Sequence, residues 1–239
     1  MHGNTRFTLP IFACLAAFSF PAFVAAEPQS VIEPAIKPGL ADPPVGWAYL
    51  PELAPLGAAD IFHIVPATPG DAGPKRQMRV HTANNVGILT RDVDVPLSGA
   101  TTLNWRWKID QIPSKLRETA AAQHDYFSIA VKFENGRDLT YMWSSSLPES
   151  LGFDCPLPGW TGREYHVVVR SGPKNLGKWL TESRHVAADY AKYVGGESPG
   201  HIVQVWFIAN TIIQHGEANA SFGDITLTSG RKGSPLTVF

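Results

Sequence analysis

The chain has 239 residues, 44% hydrophobic and 17% charged, and its 20 basic and 21 acidic side chains leave a net charge of −1. That balance excludes a polyanion binder acting through net charge, and no run of consecutive Lys or Arg offers a stripe for phosphates, so nucleic acid is not an expected partner. Only two cysteines are present, Cys14 and Cys155.

The N-terminus carries one basic residue, Arg6, an apolar run from Phe7 to Ala25, and the small residues Val24, Ala25 and Ala26. This pattern predicts a secretory signal peptide over residues 1–26, and Pro10, Ser19 and Pro21 interrupt the run against a retained membrane helix. Export to the periplasm or beyond is the expectation, with no membrane span once the leader is gone. Cleavage removes Cys14, leaving Cys155 without an intrachain disulfide partner and cast as a bystander. Residues 27–46 are proline-rich and aperiodic, an extended lead-in. One domain, residues 47–239, follows.

From Trp47 onward, short segments rich in β-branched and aromatic residues alternate with turn residues: 60–67, 77–95, 101–110, 126–133, 139–145, 163–172, 201–210 and 219–229. The spacing predicts an all-β fold, an antiparallel β-sandwich of the jelly-roll type seen in concanavalin and carbohydrate modules, with one short helix. Asn135-Gly136 predicts a hairpin between 126–133 and 139–145, with Phe127, Ile129, Val131 and Phe133 on its core face. In residues 101–110 the same alternation sets Leu103, Trp105, Trp107 and Ile109 on an apolar face and Asn104, Arg106 and Lys108 on a polar one. The tryptophans read as core, the basic face as ligand contact. Helical spacing of Val186, Tyr190 and Tyr193 before Gly195-Gly196 predicts a helix over 185–193 with Ser183 as its N-cap and His185 close to Asp189.

Motifs for nucleotide, zinc-protease or serine-hydrolase chemistry are absent, and the histidines stand singly, so neither a transition metal nor a cofactor is expected. A calcium site of carbonyls and Asp would leave no signature. Gln123-His124-Asp125-Tyr126 gathers an imidazole, a carboxylate and a phenol at the entrance to a strand, groups suited to proton transfer. Glu182-Ser183-Arg184-His185 with Asp189 offers a cation for a substrate carboxylate or an internal ion pair. Both groupings also fit loop hydrogen bonding and capping. Trp143, Trp160, Trp179 and Trp206 complete an aromatic set suited to the C–H faces of sugars.

The ordered motifs L-N-W-R-W-K-I-D (103–110), H-D-Y-F-S-I-A-V-K-F (124–133), L-T-Y-M-W (139–143), W-L-T-E-S-R-H-V-A-A-D-Y (179–190) and S-F-G-D-I-T-L (221–227) resemble the secreted bacterial family labelled domain of unknown function 3047. The resemblance spans about residues 47–228 and implies a secreted single domain with no assigned chemistry. Matching positions include Trp105, Trp107, Asp125, Tyr141, Trp143, Trp179, Glu182, Arg184, Asp189, Tyr190 and Asp224. The family pattern has an acidic pair at His124-Asp125, Arg-Asn at Arg184-His185 and Asp-x-Asp-Asn at Ala209–Ile212. Those departures weaken a role needing the missing acids, such as cation binding.

The leading expectation is binding of a glycan or other cell-envelope ligand without catalysis, through Arg106, Tyr141, Trp143, Arg184, Gln204 and Trp206, with Tyr126 on the same sheet face. The alternative is a polysaccharide lyase, with His124 or Tyr126 taking the proton and Arg106 or Arg184 neutralising a uronate, or a glycoside hydrolase pairing Asp125 with Glu182. A third reading is an envelope protein that engages another protein. Oligomeric state is left open.

Overall fold

The computed structural model describes residues 43–51, 61–115, 117–119, 125–230 and 234–239. The expected leader, most of the lead-in, and His124 lie outside the described residues.

Two sheets face each other. The first contains β1 (Ala48–Tyr49), β4 (Val86–Pro96), β6 (Phe127–Phe133), β7 (Asp138–Ser144), β8 (Gly152–Asp154), β9 (Glu164–Ser171) and β11 (His201–Asn210), in the order β1-β4-β11-β6-β7-β9-β8. The second contains β2 (Phe62–Pro66), β3 (Arg76–Ala83), β5 (Thr102–Gln111), β10 (Leu180–His185) and β12 (Glu217–Thr228), in the order β10-β5-β12-β3-β2, and β13 (Leu236–Thr237) pairs with β12. The architecture is the β-sandwich that the strand spacing predicts.

Alternation builds the core. Leu103, Trp105, Trp107 and Ile109 of β5 are fully buried against Phe127, Ile129, Val131 and Phe133 of the first sheet. Trp105 meets Trp107 edge-on at 5.6 Å between ring centroids, Trp105 lies 5.6 Å from Tyr141, and Trp107 lies 5.5 Å from Trp143. Offset and edge-to-face pairs of this kind add about 0.5–1.5 kcal/mol each beyond the burial of their area. The two tryptophans are core.

The 133–137 hairpin turn closes with Phe133 donating to Arg137 O and Gly136 donating to Phe133 O. Gly136 has φ +82° while Asn135 does not take a positive φ. The turn is therefore a type I turn completed by a left-handed glycine, and β6 and β7 pair in antiparallel register as Asn-Gly predicts.

One pairing departs from the antiparallel expectation: β7 and β9 run parallel. The chain between them makes an excursion, residues 145–163, that includes β8 on the far edge of β9. Leu147, Leu151 and Phe153 of this excursion cover Met142 and Val168 on the outer side of the first sheet, and Leu50 and Trp160 cover Ala130, Trp206 and Ile208. Here the sheet is buried on both faces, the usual setting for parallel strands.

The predicted helix over 185–193 is present as helical turns over Val186–Val194, and only its approach is corrected. Residues 180–185 form β10 and pair with β5 from Leu180↔Trp107 to His185↔Thr102. Ser183 is a strand residue and caps nothing. A single α turn, Val186–Asp189, follows and continues as a π turn, Tyr190–Val194, ended by Gly195 at φ +72°. The edge of β5 offers six residues of backbone pairing, which draws the approach to the helix into the sheet. Local spacing could not report that edge.

Candidate ligand-binding face

The outer side of the second sheet carries the polar face of β5. Lys108 lies in register with Ser221 of β12, and Ser221 with Arg79 of β3, so three strands contribute one continuous polar row. One step along, Arg106 sits between Thr181 of β10 and Gly223 of β12.

At Gly223 the β5–β12 register shifts, and Asp224 adopts φ +51°. A Cβ at Gly223 would come within 2.7 Å of Pro74 Cβ and 3.0 Å of the Arg76 carbonyl, so only glycine fits beneath that loop. Asp tolerates the left-handed conformation better than most side chains, and the bulge turns Asp224 outward beside Arg106, 3.6 Å from Nη1.

The loop 67–75 folds over the same face. Asp71 Oδ1 accepts from the Gly73 N–H at 2.9 Å and from Trp179 Nε1 at 2.8 Å, and its Oδ2 accepts from Gln77 Nε2 at 2.9 Å. The Gln77 bond, with those of Gly73 and Trp179, holds the Asp71 carboxyl below its ordinary range against the effect of desolvation. Gly73 lies flat on the Trp179 indole, where a Cβ would stand 2.3 Å from the ring. The Arg106 guanidinium and the Lys108 ammonium lie 5.7 and 5.8 Å from the indole centroid. Arg106 also donates to Ala72 O at 2.8 Å, which ties the loop to β5.

Beside this indole is a polar hollow of about 100 Å³ lined by Thr68, Asp71, Gln77, Arg79, Lys108 and Ser221, among others. Its walls mix donors with acceptors and both signs of charge. It is well below the ~300–1,000 Å³ of a cleft that engulfs a drug-sized ligand, and accommodates one group of a larger molecule.

The other residues named from sequence lie elsewhere. Tyr141 and Trp143 are wholly buried between the sheets, and Trp206 lies under Trp160 with Nε1 on Gln204 Oε1 at 2.9 Å. Gln204 in turn donates to Asp92 at 2.8 Å on the outer side of the first sheet. Arg184 holds Asp189 with two bonds, Nε to Oδ2 at 2.8 Å and Nη2 to Oδ1 at 2.6 Å, beneath which the Tyr141 hydroxyl donates to Oδ2 at 3.1 Å. Glu182 accepts from Arg170 and from Trp107 Nε1. Tyr126 is wholly buried, and desolvation with the nearby Glu118 carboxylate pushes its hydroxyl up to about 12. The single sheet face imagined for Arg106, Tyr126, Tyr141 and Gln204 is therefore corrected: Arg106 faces outward on the second sheet, whereas the other three belong to the first.

Asp125 belongs to a second polar group, buried under residues 145–163. Its Oδ2 lies 3.7 Å from His166 Nε2 and accepts from Ser128 Oγ at 3.4 Å. Cys155, Glu164 and His166 are buried with it. Burial, reinforced by Glu164, drives the Cys155 thiol far above its ordinary range, which leaves a bare thiol inert as a nucleophile.

Sequence reasoning named the Arg106–Lys108 face by alternation and Trp179 by type. Asp71 and Gln77 were missed; the Asp-x-Gly turn at 71–73 was the available signal. Among the described residues no helix is long and apolar enough to cross a membrane.

Residues 68–226 match the model of a family described as a protein of unknown function, DUF3047. No curated protein matches the chain. Among solved structures, the xyloglucanase domain of NopAA, a type three effector from Sinorhizobium fredii in complex with cellobiose, aligns at 11% identity and a TM-score of 0.39, covering 78% of this chain and 100% of that one. A family 11 carbohydrate-binding module from Clostridium thermocellum, in complex with a β-1,3-1,4-mixed-linked tetrasaccharide, aligns at 13% identity and a TM-score of 0.38, covering 81% of this chain and 96% of that one.

Proposed function

This chain belongs to the DUF3047 family of unknown function, and we propose that it is an exported glycan-binding β-sandwich whose contact surface is the outer side of the second sheet around Trp179. The observation that carries this reading is the half-buried Trp179 indole, fixed by Asp71 and flanked by Arg106 and Lys108, beside a polar hollow. Sugars present apolar C–H faces that suit an indole and hydroxyl rims that need both donors and acceptors. Arg79, Arg106 and Lys108 stand against Asp71, Asp224 and Asp110, which also lines the hollow 3.7 Å from Lys108 Nζ, three cations to three carboxylates, which favours a polyhydroxylated ligand over a strongly anionic one.

Binding without turnover is favoured by the scatter of the groups that catalysis would need to gather. Tyr126 is buried and hard to ionise, Arg184 is neutralised by Asp189, and Asp125 and Glu182 belong to separate buried networks. Export rests on the leader-like N-terminus.

The test is a panel of neutral and uronate-containing polysaccharides, read by melting-temperature shift, by absorbance of unsaturated product and by new reducing ends. A glycan that raises Tm for the native chain but not for Trp179→Ala supports the proposal. Product formation in either chemical assay, or a Tm shift that Trp179→Ala leaves intact, overturns it.

A further inference from the structure

We infer that Cys155, Glu164, His166 and Asp125 form a structural zinc site that fastens the 145–163 excursion onto the first sheet. The inference is independent of the glycan-binding face, which lies on the other sheet.

The donors come from separate parts of the chain. Glu164 and His166 are two residues apart on β9, so strand alternation places both on the outer side of the sheet. Cys155 follows β8 and is drawn to β9 by its backbone N–H, which donates to Glu164 O at 2.9 Å. One ligand atom each from Cys155, Glu164 and His166 lies within 4.8 Å of the others. Asp125, at the entrance to β6, brings a fourth: His166 Nε2 stands 3.7 Å from Asp125 Oδ2 and 3.9 Å from Glu164 Oε1. Zinc bonds of about 2.0–2.3 Å in a tetrahedron separate ligand atoms by about 3.3–3.7 Å, so contraction by about an ångström seats Cys155, Glu164 and His166, and Asp125, already beside His166, takes the fourth position by its own shift toward the ion.

The surroundings suit a bound cation. Asp125 and Glu164 are carboxylates with 4% exposure or less beside one imidazole that is wholly buried, and a third buried carboxylate, Asp138, is linked to Glu164 through Thr140. Burying such a surplus of negative groups is costly, and a divalent ion in their midst removes the cost. Second-sphere partners are also present. Thr140 Oγ1 lies 3.2 Å from both Glu164 Oε1 and Asp138 Oδ1, Ser128 Oγ donates to Asp125, and Phe153 stacks on the His166 ring at 4.8 Å and 8°. Such contacts fix ligand orientation at metal sites.

A thiolate, an imidazole and carboxylates select zinc over calcium or magnesium, and four protein ligands mark a structural and not a hydrolytic site. A metal here also gives Cys155 a partner: it does the work of the staple that a single cysteine cannot provide by disulfide.

The experiment is native mass spectrometry and elemental analysis of the full chain purified from zinc-supplemented medium, followed by chelation and reconstitution with Co²⁺ alone. The expected result is one zinc per chain, a Tm lower by about 5–15 °C after chelation, as for withdrawal of a ligand held ~1,000-fold above its Kd in a chain of this size, and a thiolate-to-cobalt charge-transfer band. Cys155→Ser abolishes the band, and His166→Gln loses the metal. Metal-free protein whose Tm ignores both zinc and chelator overturns the site. So does bound zinc that gives no thiolate band on cobalt exchange in the native chain, a readout that holds even where a variant fails to fold.

Discussion

Trp179 and Asp71, 108 positions apart in sequence, are joined by one hydrogen bond of 2.8 Å from the indole Nε1 to Oδ1. That bond brings the 67–75 loop, the segment leading into β10 and the polar side of β5 together as one surface. It links an aromatic plane to a carboxylate that already accepts from Gln77 and from the Gly73 backbone, so the indole orientation is set by a network and not by one contact.

Gly73→Ala separates this surface from the core. The new methyl would stand 2.3 Å from the Trp179 ring, so the indole must move away from its seat. Glycan binding falls at least about 10-fold, the equivalent of ~1.4 kcal/mol, while Tm changes by only a few degrees because no core residue is disturbed. Titration calorimetry of the native chain and the variant checks both halves of the statement. Unchanged affinity would show that Trp179 is not a platform.

Binding should persist to mildly acidic pH. The pKa of Asp71 is lowered from its ordinary 3.8, chiefly by the Gln77 hydrogen bond, so its contribution is complete above the ordinary value and disappears as pH falls through the lower, folded value. Affinity measured at pH 5 matches that at pH 7, and drops below about pH 4. Asp71→Asn, which keeps shape but loses charge, flattens that acid limb.

Trp105 and Trp107 predict unequal responses to the same substitution. Trp107 Nε1 donates to Glu182 at 3.0 Å, whereas Trp105 Nε1 is buried with no hydrogen-bond partner among the described residues. Trp107→Phe removes a bond to a charged group, worth about 1.5–3 kcal/mol, on top of the lost volume. Trp105→Phe removes only volume and relieves an unsatisfied donor. Urea denaturation should rank Trp107→Phe as the more damaging, and the opposite order would refute the assignment.

Arg184 and Asp189 act as a structural clamp. The Arg184 side chain is 23% exposed and that of Asp189 is 11%, so Arg184→Ala leaves a largely buried carboxylate whose remaining partner is the Tyr141 hydroxyl. A loss of about 2–4 kcal/mol is expected, and a double variant, Arg184→Met with Asp189→Leu, recovers most of it. An unstable double variant would mean that the pair contributes net stability beyond compensating its own burial.

Alkaline titration reports the same region. Burial, with the Asp189 carboxylate alongside, raises the Tyr141 hydroxyl well above its ordinary 10.0. A group with a raised folded pKa contributes stability below its unfolded value, near 10, and that contribution is lost as pH rises toward the folded value. Tm therefore declines above pH 10, and Tyr141→Phe moderates the decline. The part of the tyrosinate absorbance that Tyr141→Phe removes grows in step with unfolding, and not before it.

The core strands were legible because period-two alternation is a local property, and in β5 and β6 it marks the buried face residue by residue. The Asn135-Gly136 turn was legible for the same reason, and so was the family, whose motifs fall on these strands. β10 was not. Residues 180–185 have no strong period of their own, and their conformation follows from the open edge of β5. Likewise nothing near Asp71 announces Trp179, and nothing near Cys155 announces His166, because each contact closes a loop between segments that the sequence keeps apart.

By itself, then, the sequence determined the strand class, the buried faces of β5 and β6 with Trp105 and Trp107, and the polar side of β5, all consequences of side chains alternating along an extended backbone. Tertiary structure alone decided which outer face remains open. The sequence offers Trp206 and Arg106 alike as ligand contacts, but Trp160 and Leu50 cover the first, while the 67–75 loop leaves Arg106 beside a half-buried indole and an open hollow. What covers a residue depends on the path of distant chain, and no local pattern encodes that path.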